Sequence, residues 1–477
     1  MPGDILAFGP FELDPDERRL LKNGEPVALP PRQFDLLLLL AAQAGRVLSK
    51  DALVEAAWAG IAVTDNSVEQ AISGLRRALA TSDGSSPIET QARRGYRFTG
   101  TVRRIERREP EASLDALLAP HRAWVEGRAA LETLERAHVL HARDVFERVL
   151  TMVPDQASAH VGLANACVMQ FEMTRSEREP DTAALASAVT HARDACRLDP
   201  RYGEGWATLG FVLDRTGHRD DALAASRIAV TLEPDNWRHH LRLAYVSWGE
   251  ERLREARRTL TLLPGFPLAH WLAATVHVAR QAFDEAEREL RTGLAAESAL
   301  AEPSRFGSVA LHWLLGLLLL RRGDETEAQT HFSRELASEA GGHLYARECC
   351  ANTWYAIAAL RLRAGDVDAA RTALDETLTR VPRHPAGRAM LSAIEKQPFV
   401  PSASSQGSVV AAELALGDAV GLSLRGDVAA AVDAVDAALA TVAVGSAMWT
   451  LPVDPVIRPT DDERWMPVLA RLRNRAA

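Results

Sequence analysis

The first thirty residues alternate between short apolar stretches and turn residues. Extended segments are predicted at Ile5–Phe8, Phe11–Leu13, Arg19–Leu21 and Pro26–Leu29, with Gly9-Pro10, Asp14-Pro15-Asp16 and Asn23-Gly24 between them. An Asn-Gly pair between apolar segments is a strong hairpin signal, because both residues tolerate a positive φ. The chain is therefore expected to open with a small antiparallel sheet.

The pattern then becomes helical and ends in a second hairpin. Pro31 begins a helix that stops at Gly45, Ser49 caps a helix over Lys50–Trp58, and Asp65 or Asn66 caps a third that runs to Leu79. The apolar face of the third helix consists of Val68, Ile72, Leu75 and Leu79. Two strands follow, Ile88–Gln91 and Tyr96–Val102, joined by Ala92-Arg93-Arg94-Gly95. Strands, three helices and a terminal hairpin in this order predict a winged helix-turn-helix domain.

Beyond residue 120 the apolar and small residues recur with a period of 34, which is typical of tetratricopeptide repeats. Residues 203–236 match that pattern at Trp206, Leu209, Gly210, Leu213, Ala222, Ala229 and Pro234. Further copies lie around Leu315 and Trp354, and weaker ones cover 123–156, 157–200, 268–300 and 412–445. Seven or eight helical hairpins are therefore expected, with their tryptophans in the core.

The predicted fold is an α+β winged helix-turn-helix domain followed by an all-α tetratricopeptide-repeat solenoid. Its boundaries are 1–105 for the winged helix, 106–120 for a linker, 121–445 for the solenoid and 446–477 for a capping segment. Within the last segment a short helix from Glu463 would bury Trp465, Leu469 and Leu472. Residues 398–408, rich in serine and proline, are expected to form a loop that interrupts the array.

Composition narrows the class of protein further. Of 477 residues, 47% are hydrophobic and 25% charged, which is ordinary for a folded globular chain. No apolar run approaches the ~20 residues of a membrane span, and the N-terminus lacks the features of a signal peptide. The four cysteines show no C-x-x-C spacing, which argues against a zinc site. A cytoplasmic protein in a reducing compartment is expected.

Positive charge is concentrated at the end of the winged-helix segment. Residues 1–105 hold 13 basic and 13 acidic residues, so the whole net charge of −9 belongs to the rest of the chain. Between residues 66 and 108, however, nine arginines face four acidic residues. Such an excess along one stretch indicates a surface that faces phosphates.

Several motifs in this segment resemble the OmpR/PhoB-type DNA-binding domain. They are Pro31-Arg32-Gln33-Phe34-Asp35-Leu36-Leu37, Gly45-Arg46-Val47-Leu48-Ser49-Lys50, Trp58, the stretch Asp65 to Leu79, and Arg94-Gly95-Tyr96-Arg97-Phe98. The resemblance covers about residues 5–103, and the Arg93-Arg94-Gly95-Tyr96 wing is most similar to the CadC-like branch. It implies duplex DNA as the partner.

A helix in the major groove presents positions i, i+4, i+7 and i+11 of one face to the bases. Here these positions hold Asn66, Gln70, Ser73 and Arg77, of which Gln70 can contact adenine through both amide atoms. The resemblance implies that Trp58, Ser67 and Arg76 lie against phosphates, and that Arg93 and Arg94, in the wing beside Tyr96, approach the minor groove. Position 74, where some relatives carry a base-reading arginine, is glycine, so no relative's target sequence is transferred.

Control of this domain is expected from the C-terminal side. Only a few residues precede the first strand, which leaves no room for a receiver domain. The CadC-like relatives commonly place a membrane span after the DNA-binding domain, whereas residues 103–120 are charged and contain none. We interpret that stretch as a linker.

No catalytic motif, cofactor site or metal site is expected. The chain has three lysines, Lys22, Lys50 and Lys396, and none follows a glycine, so there is no P-loop. The leading hypothesis is a one-component transcriptional regulator whose solenoid binds a protein or small-molecule partner, or mediates homo-oligomerisation. The alternative is a scaffold protein with a winged-helix module that does not bind DNA. A third hypothesis, a receptor for peptide tails, rests on Asn165, Arg238 and Arg242 at inner-face repeat positions.

Overall fold

The computed structural model describes residues 4–58, 65–80, 85–105, 114–298, 309–402 and 409–477. The chain forms two compact units. The first comprises residues 1–133 and 137–163, and the second comprises 134–136 and 164–477. The predicted fold class is confirmed: a winged helix-turn-helix domain precedes a series of tetratricopeptide-like helical hairpins.

The first unit contains an antiparallel sheet of five strands: β1 (Ile5–Phe8), β2 (Phe11–Asp14), β3 (Arg19–Lys22), β4 (Glu25–Val27) and β8 (Arg103–Ile105). Their order in the sheet is β4-β3-β2-β1-β8. Leu6 pairs with Leu13, and Leu13 with Leu20, so three buried leucines lie side by side across the sheet. These first four strands lie where the sequence predicts extended segments, to within two residues at each end. The last strand was not predicted, and it brings the chain back to β1 through the pairs Ile5–Ile105 and Ala7–Arg103.

The three predicted helices and a second sheet complete the domain. The helices are α1 (Pro31–Ala42), α2 (Lys50–Trp58) and α3 (Asp65–Ala78), and the second sheet has the order β5 (Val47–Leu48), β7 (Gly95–Phe98), β6 (Ile88–Gln91). The apolar residues Phe34, Leu37, Leu38 and Ala41 of α1 are all buried. Of the strand expected over Tyr96–Val102, only residues 96–98 belong to β7, and residues 99–102 form no strand.

Helical hairpins make up the rest of the chain. Their helices are α4 (Leu114–Glu132), α5 (Arg136–Met152), α6 (Ala157–Thr174), α7 (Thr182–Leu198), α8 (Gly203–Arg215), α9 (Arg219–Leu232), α10 (Trp237–Val246), α11 (Glu250–Leu262), α12 (Pro267–Ala279), α13 (Phe283–Ser298), α14 (Leu311–Arg322), α15 (Glu325–Ala337), α16 (Ala346–Arg363), α17 (Val367–Arg380), α18 (Pro385–Ile394), α19 (Val409–Leu424), α20 (Val428–Thr441) and α21 (Met466–Arg475). No helix within the described residues is both long and apolar enough to cross a membrane.

Small residues lie where the two helices of a hairpin cross. A Cβ atom on Gly210 of α8 would meet Ser226 Oγ of α9 at 2.1 Å and the Ala222 carbonyl oxygen at 2.8 Å. Ala222 and Ala229 are fully buried on the same helix. In another hairpin, a Cβ on Gly316 would meet the Phe332 ring at 2.4 Å. The repeat signature is therefore a steric requirement of close helix crossing.

Two helices differ from the sequence prediction. Helix α4 begins at Leu114, inside the stretch predicted as a linker, whereas residues 106–113 lie outside the described part of the chain. Helix α18 was not predicted, and it packs between α17 and α19. The expected loop 398–408 has no helix or strand over its described part, 398–402.

The C-terminal segment, residues 446–477, does more than cover the last hairpin. Arg475 donates to the carbonyl oxygens of Leu439 and Val442 at the end of α20, as a cap would. The segment also runs along the first helices of earlier hairpins: Trp449 meets Trp271 of α12 and Trp313 of α14 edge to face. Its buried residues, Leu451, Ile457, Trp465, Val468, Leu469, Leu472 and Ala476, belong to one hydrophobic cluster with α10–α12 and α16–α20.

Candidate nucleic-acid interface

Helix α3 has one buried and one exposed face. Val68, Ile72 and Leu75, together with Leu79 just beyond the helix, are at most 1% exposed. Gln70, Ser73 and Arg77 are exposed on the opposite face. The division follows the 3.6-residue period that the sequence predicts. Asn66 starts the same face, but its side chain lies outside the described part of the structure.

Two lysines fix α3 from neighbouring elements. Lys50, the first residue of α2, contacts Glu69 of α3 at 2.8 Å. Lys22 of β3 donates from Nζ to the carbonyl oxygen of Ala80 at 2.9 Å, just past the C-terminal end of α3. A cation at this end satisfies a free carbonyl and complements the helix dipole. Neither lysine was predicted to have a role, because their partners are distant along the chain.

The wing is the hairpin of β6 and β7, and its tip carries Arg93 and Arg94. Both arginines are exposed, and Arg93 adopts a left-handed φ of 60°. Gly95 follows with a φ of 121°, and a Cβ there would lie 1.9 Å from the carbonyl oxygen of Leu48. Only glycine fits this backbone contact between the wing and β5.

Two of the proposed contact residues lie in the domain core. Trp58 is 4% and Tyr96 5% exposed, so in this structure both side chains contribute mainly to packing. The guanidinium of Arg32 lies 5.7 Å from the Trp58 ring centroid, and that of Arg76 lies 5.9 Å from the Tyr96 ring centroid. Ser67 and Arg76 are half-buried.

The charges on this surface are unevenly neutralised. Arg97 of β7 lies opposite Glu89 of β6 and contacts it at 2.6 Å. Hydrogen bonding from Arg97, helped by its charge, lowers the pKa of Glu89. Among the described residues, no carboxylate lies within ion-pair distance of Arg77, Arg93 or Arg94. Within that part of the chain, those three exposed arginines keep their charge available to an anionic partner.

The residues of the peptide-tail hypothesis are partly brought together in the second unit. Arg242 donates to Asn165 Oδ1 at 2.7 Å and to Thr208 Oγ1 at 2.6 Å, whereas Arg238 lies over the ring of Trp237. The Arg242 guanidinium thus has internal acceptors, so this cluster adds no support to the peptide-tail hypothesis.

Several histidines and cysteines are held by contacts within the chain or are buried. His141 contacts Glu126 at the surface, and the buried His240 lies between Glu255 Oε2, at 2.6 Å, and the Pro234 carbonyl oxygen, at 2.9 Å. Cys349 and Cys350 are buried and not bonded to each other. Burial raises the pKa of the Cys350 thiol to about 12, which disfavours its reactive thiolate form.

Helix α3 with its exposed polar face, the preceding α2 and the arginine-tipped hairpin together define a winged helix-turn-helix DNA-binding domain. Residues 24–98 match the family model described as "Transcriptional regulatory protein, C terminal". The N-terminal domain of this chain is accordingly an OmpR/PhoB-type DNA-binding domain with CadC-like homologues.

Two curated relatives and one solved structure are similar to this chain over about the length of this domain. The transcriptional activator CadC of Escherichia coli (strain K12) is 36% identical over 100 residues, 20% of this chain and 20% of CadC. The transcriptional regulator HilA of Salmonella typhi is 33% identical over 97 residues, 20% of this chain and 17% of HilA. The solved DNA-binding domain of E. coli CadC is 32% identical and aligns over its whole length with 22% of this chain, with a TM-score of 0.21. The chain thus spans about a fifth of these curated relatives.

Proposed function

We propose that the whole chain is a sequence-specific, one-component transcriptional regulator that acts by binding rather than by catalysis. The observation that carries the proposal is the exposed face of Gln70, Ser73 and Arg77, beside a wing whose tip arginines are exposed and have no carboxylate partner in the described part of the chain. Bases would be read by Asn66, Gln70 and Ser73. Phosphates would be contacted by Ser67 and by Arg77, which was predicted among the base-facing positions but lies in the last turn of α3. Arg93 and Arg94 would approach the minor groove.

The buried side chains take a different part in this proposal. A phosphate contact needs a side chain that reaches the surface, and Trp58 and Tyr96 are only 4% and 5% exposed. We therefore assign both to holding the domain together beneath the DNA-facing surface.

We further propose that the solenoid receives a protein or small-molecule partner, or joins two copies of the chain. Extended hairpin arrays offer large surfaces for such binding. Because residues 446–477 already cover much of the side formed by α12, α14 and α16, we place the partner outside that covered stretch. The competing proposal, a scaffold whose winged helix does not bind DNA, is tested by the same experiment.

The experiment is selection from a randomised duplex pool by the full chain at near-physiological salt. A defined motif would support the proposal, and recovery of no motif by the full chain or by residues 1–163 would favour the scaffold. Gln70→Ala should change the base preferred at one position of the motif, because an amide–adenine pair discriminates by about 1–3 kcal/mol. Arg77→Ala should instead weaken binding to all duplexes and reduce the salt slope by about one. Arg19→Ala, an exposed arginine of β3 paired with Glu17, is the matched control.

A further inference from the structure

Arg76 joins α3, the proposed recognition helix, to the wing. Its Nε donates to the carbonyl oxygen of Ile88 at 3.0 Å, and its Nη2 donates to the hydroxyl oxygen of Thr90 at 2.7 Å. Both acceptors lie on β6, the first strand of the wing. The third contact, with the ring of Tyr96, reaches the second strand. One side chain of α3 therefore holds both strands of the hairpin.

The tip of the wing follows directly from the strand that Arg76 holds. Thr90 pairs with Tyr96 and Gln91 pairs with Gly95, so a single residue separates Thr90 from the turn 92–94. Within that turn the amide of Arg94 donates to the carbonyl oxygen of Gln91 at 2.9 Å. Because the turn is short and hydrogen-bonded, the position of β6 determines the positions of Arg93 and Arg94.

We propose that Arg76 is a positioning residue: it sets the wing against the recognition helix, so that Arg93 and Arg94 and the exposed face of α3 meet the same duplex. This inference rests on the proposed function, since it concerns how DNA is bound. It changes the role that the family resemblance implied for Arg76, which was a direct phosphate contact.

The contrast between two adjacent arginines supports this assignment. Arg76 donates hydrogen bonds from Nε and Nη2 to acceptors within the domain, and its planar guanidinium allows both directed bonds at once. Arg77 is exposed and has no carboxylate partner among the described residues. A phosphate contact is therefore expected from Arg77, and a fixed geometry from Arg76.

The test is a double-mutant cycle in the full chain, measured on the motif from the selection. Arg76→Ala should lower affinity about tenfold, the equivalent of one net hydrogen bond. In a background that also carries Arg93→Ala and Arg94→Ala, Arg76→Ala should lower affinity less than about twofold, because no wing contact remains to be misplaced. Arg77→Ala should lower affinity by the same factor in both backgrounds. Arg76→Lys should not restore affinity, because an ammonium lacks the two-pronged geometry.

A second readout separates positioning from general destabilisation. Repeating the selection with Arg76→Ala should blur the preference at the base pairs beside the wing and leave the positions read by α3 unchanged. Thr90→Val, which removes only the acceptor, should reproduce that pattern.

Three outcomes are decisive. An equal cost of Arg76→Ala in both backgrounds, with a salt slope smaller by about one, would mean that Arg76 contacts a phosphate, and the inference would be wrong. Loss of preference at every position would mean a structural role only, and would also overturn it. If the unaltered chain selects no motif at all, the proposed function itself fails, which is a separate result.

Discussion

The guanidinium of Arg18 lies 5.6 Å from the ring centroid of Trp124, so helix α4 packs directly on the DNA-binding domain. Arg18 also contacts Asp35 of α1 at 2.6 Å and lies over the ring of Phe34. Trp124 is buried, although it belongs to the helix that begins within the predicted linker. The DNA-binding domain and α4 therefore share one core within the first unit.

Loss of the Trp124 indole should weaken that shared core. We expect Trp124→Ala to lower the unfolding free energy of the first unit by about 3–5 kcal/mol, the usual cost of removing a buried tryptophan. Amide hydrogen exchange in the full chain checks this, since faster exchange should appear in α1 as well as in α4. Leu140→Ala, at an exposed position of α5, is the control and should change exchange little. Unchanged protection in α1 would contradict the shared core.

A glycine substitution should show how tightly the wing is held. Gly95 and Gly24 both have a positive φ, but only Gly95 has a backbone oxygen where a Cβ would lie. Gly24→Ala should lower the free energy of unfolding by about 1–2 kcal/mol through conformational strain alone. Gly95→Ala should lower it further, because β5 and β7 must also separate, and it should reduce DNA affinity. Thermal unfolding of both variants provides the comparison, and equal costs would contradict the close approach.

A buried carboxyl group makes the stability of the second unit depend on pH. Glu335 of α15 is 1% exposed and accepts hydrogen bonds from the amides of Ala310 and Trp313. Burial raises the pKa of Glu335 to about 7, despite these hydrogen bonds, which lower it. Because the pKa is higher in the folded state, its contribution to stability is complete below the unfolded pKa of about 4.3 and is lost as the pH rises toward 7.

Glu335→Gln removes this titration and is the direct test. Each unit of pKa difference corresponds to about 1.4 kcal/mol, so the unaltered protein should lose on the order of 3 kcal/mol between pH 4.5 and 7 through this group. The glutamine variant should show a flatter dependence of the unfolding midpoint on pH over the same window. An identical slope in the two proteins would mean that Glu335 is ionised throughout.

The sequence predicted those elements whose signal is local. The apolar face of α3, the turn before β7 and the small residues at hairpin crossings each follow from spacing within about a dozen residues. Strand β5 has two residues and β8 reads Arg-Arg-Ile, so neither shows an apolar alternation, and both exist because β7 and β1 offer them a partner.

The missed features of the site share a physical cause, which is pairing between distant residues. Asp35 lies within the apolar run of α1 and is tolerated there because Arg18 neutralises it. Arg76 was assigned to phosphate because its position matches a family motif, whereas its acceptors on β6 are visible only in three dimensions. The path of the C-terminal segment was missed for the same reason: the predicted burial of Trp465, Leu469 and Leu472 is correct, but periodicity does not identify the surface that buries them.

The C-terminal segment should be essential to the stability of the second unit. Trp465 is 1% exposed. Further along the segment, the carbonyl oxygens of Leu469 and Ala476 accept hydrogen bonds from Gln281 and Arg280, which follow α12. The segment therefore connects distant hairpins. Trp465→Ala should therefore lower the unfolding free energy by about 3–5 kcal/mol. Met466→Ala, at the next and exposed position, should change it by less than about 0.5 kcal/mol. Chemical denaturation of both variants measures the difference, and equal effects would show that the segment does not pack as a fixed part of the core.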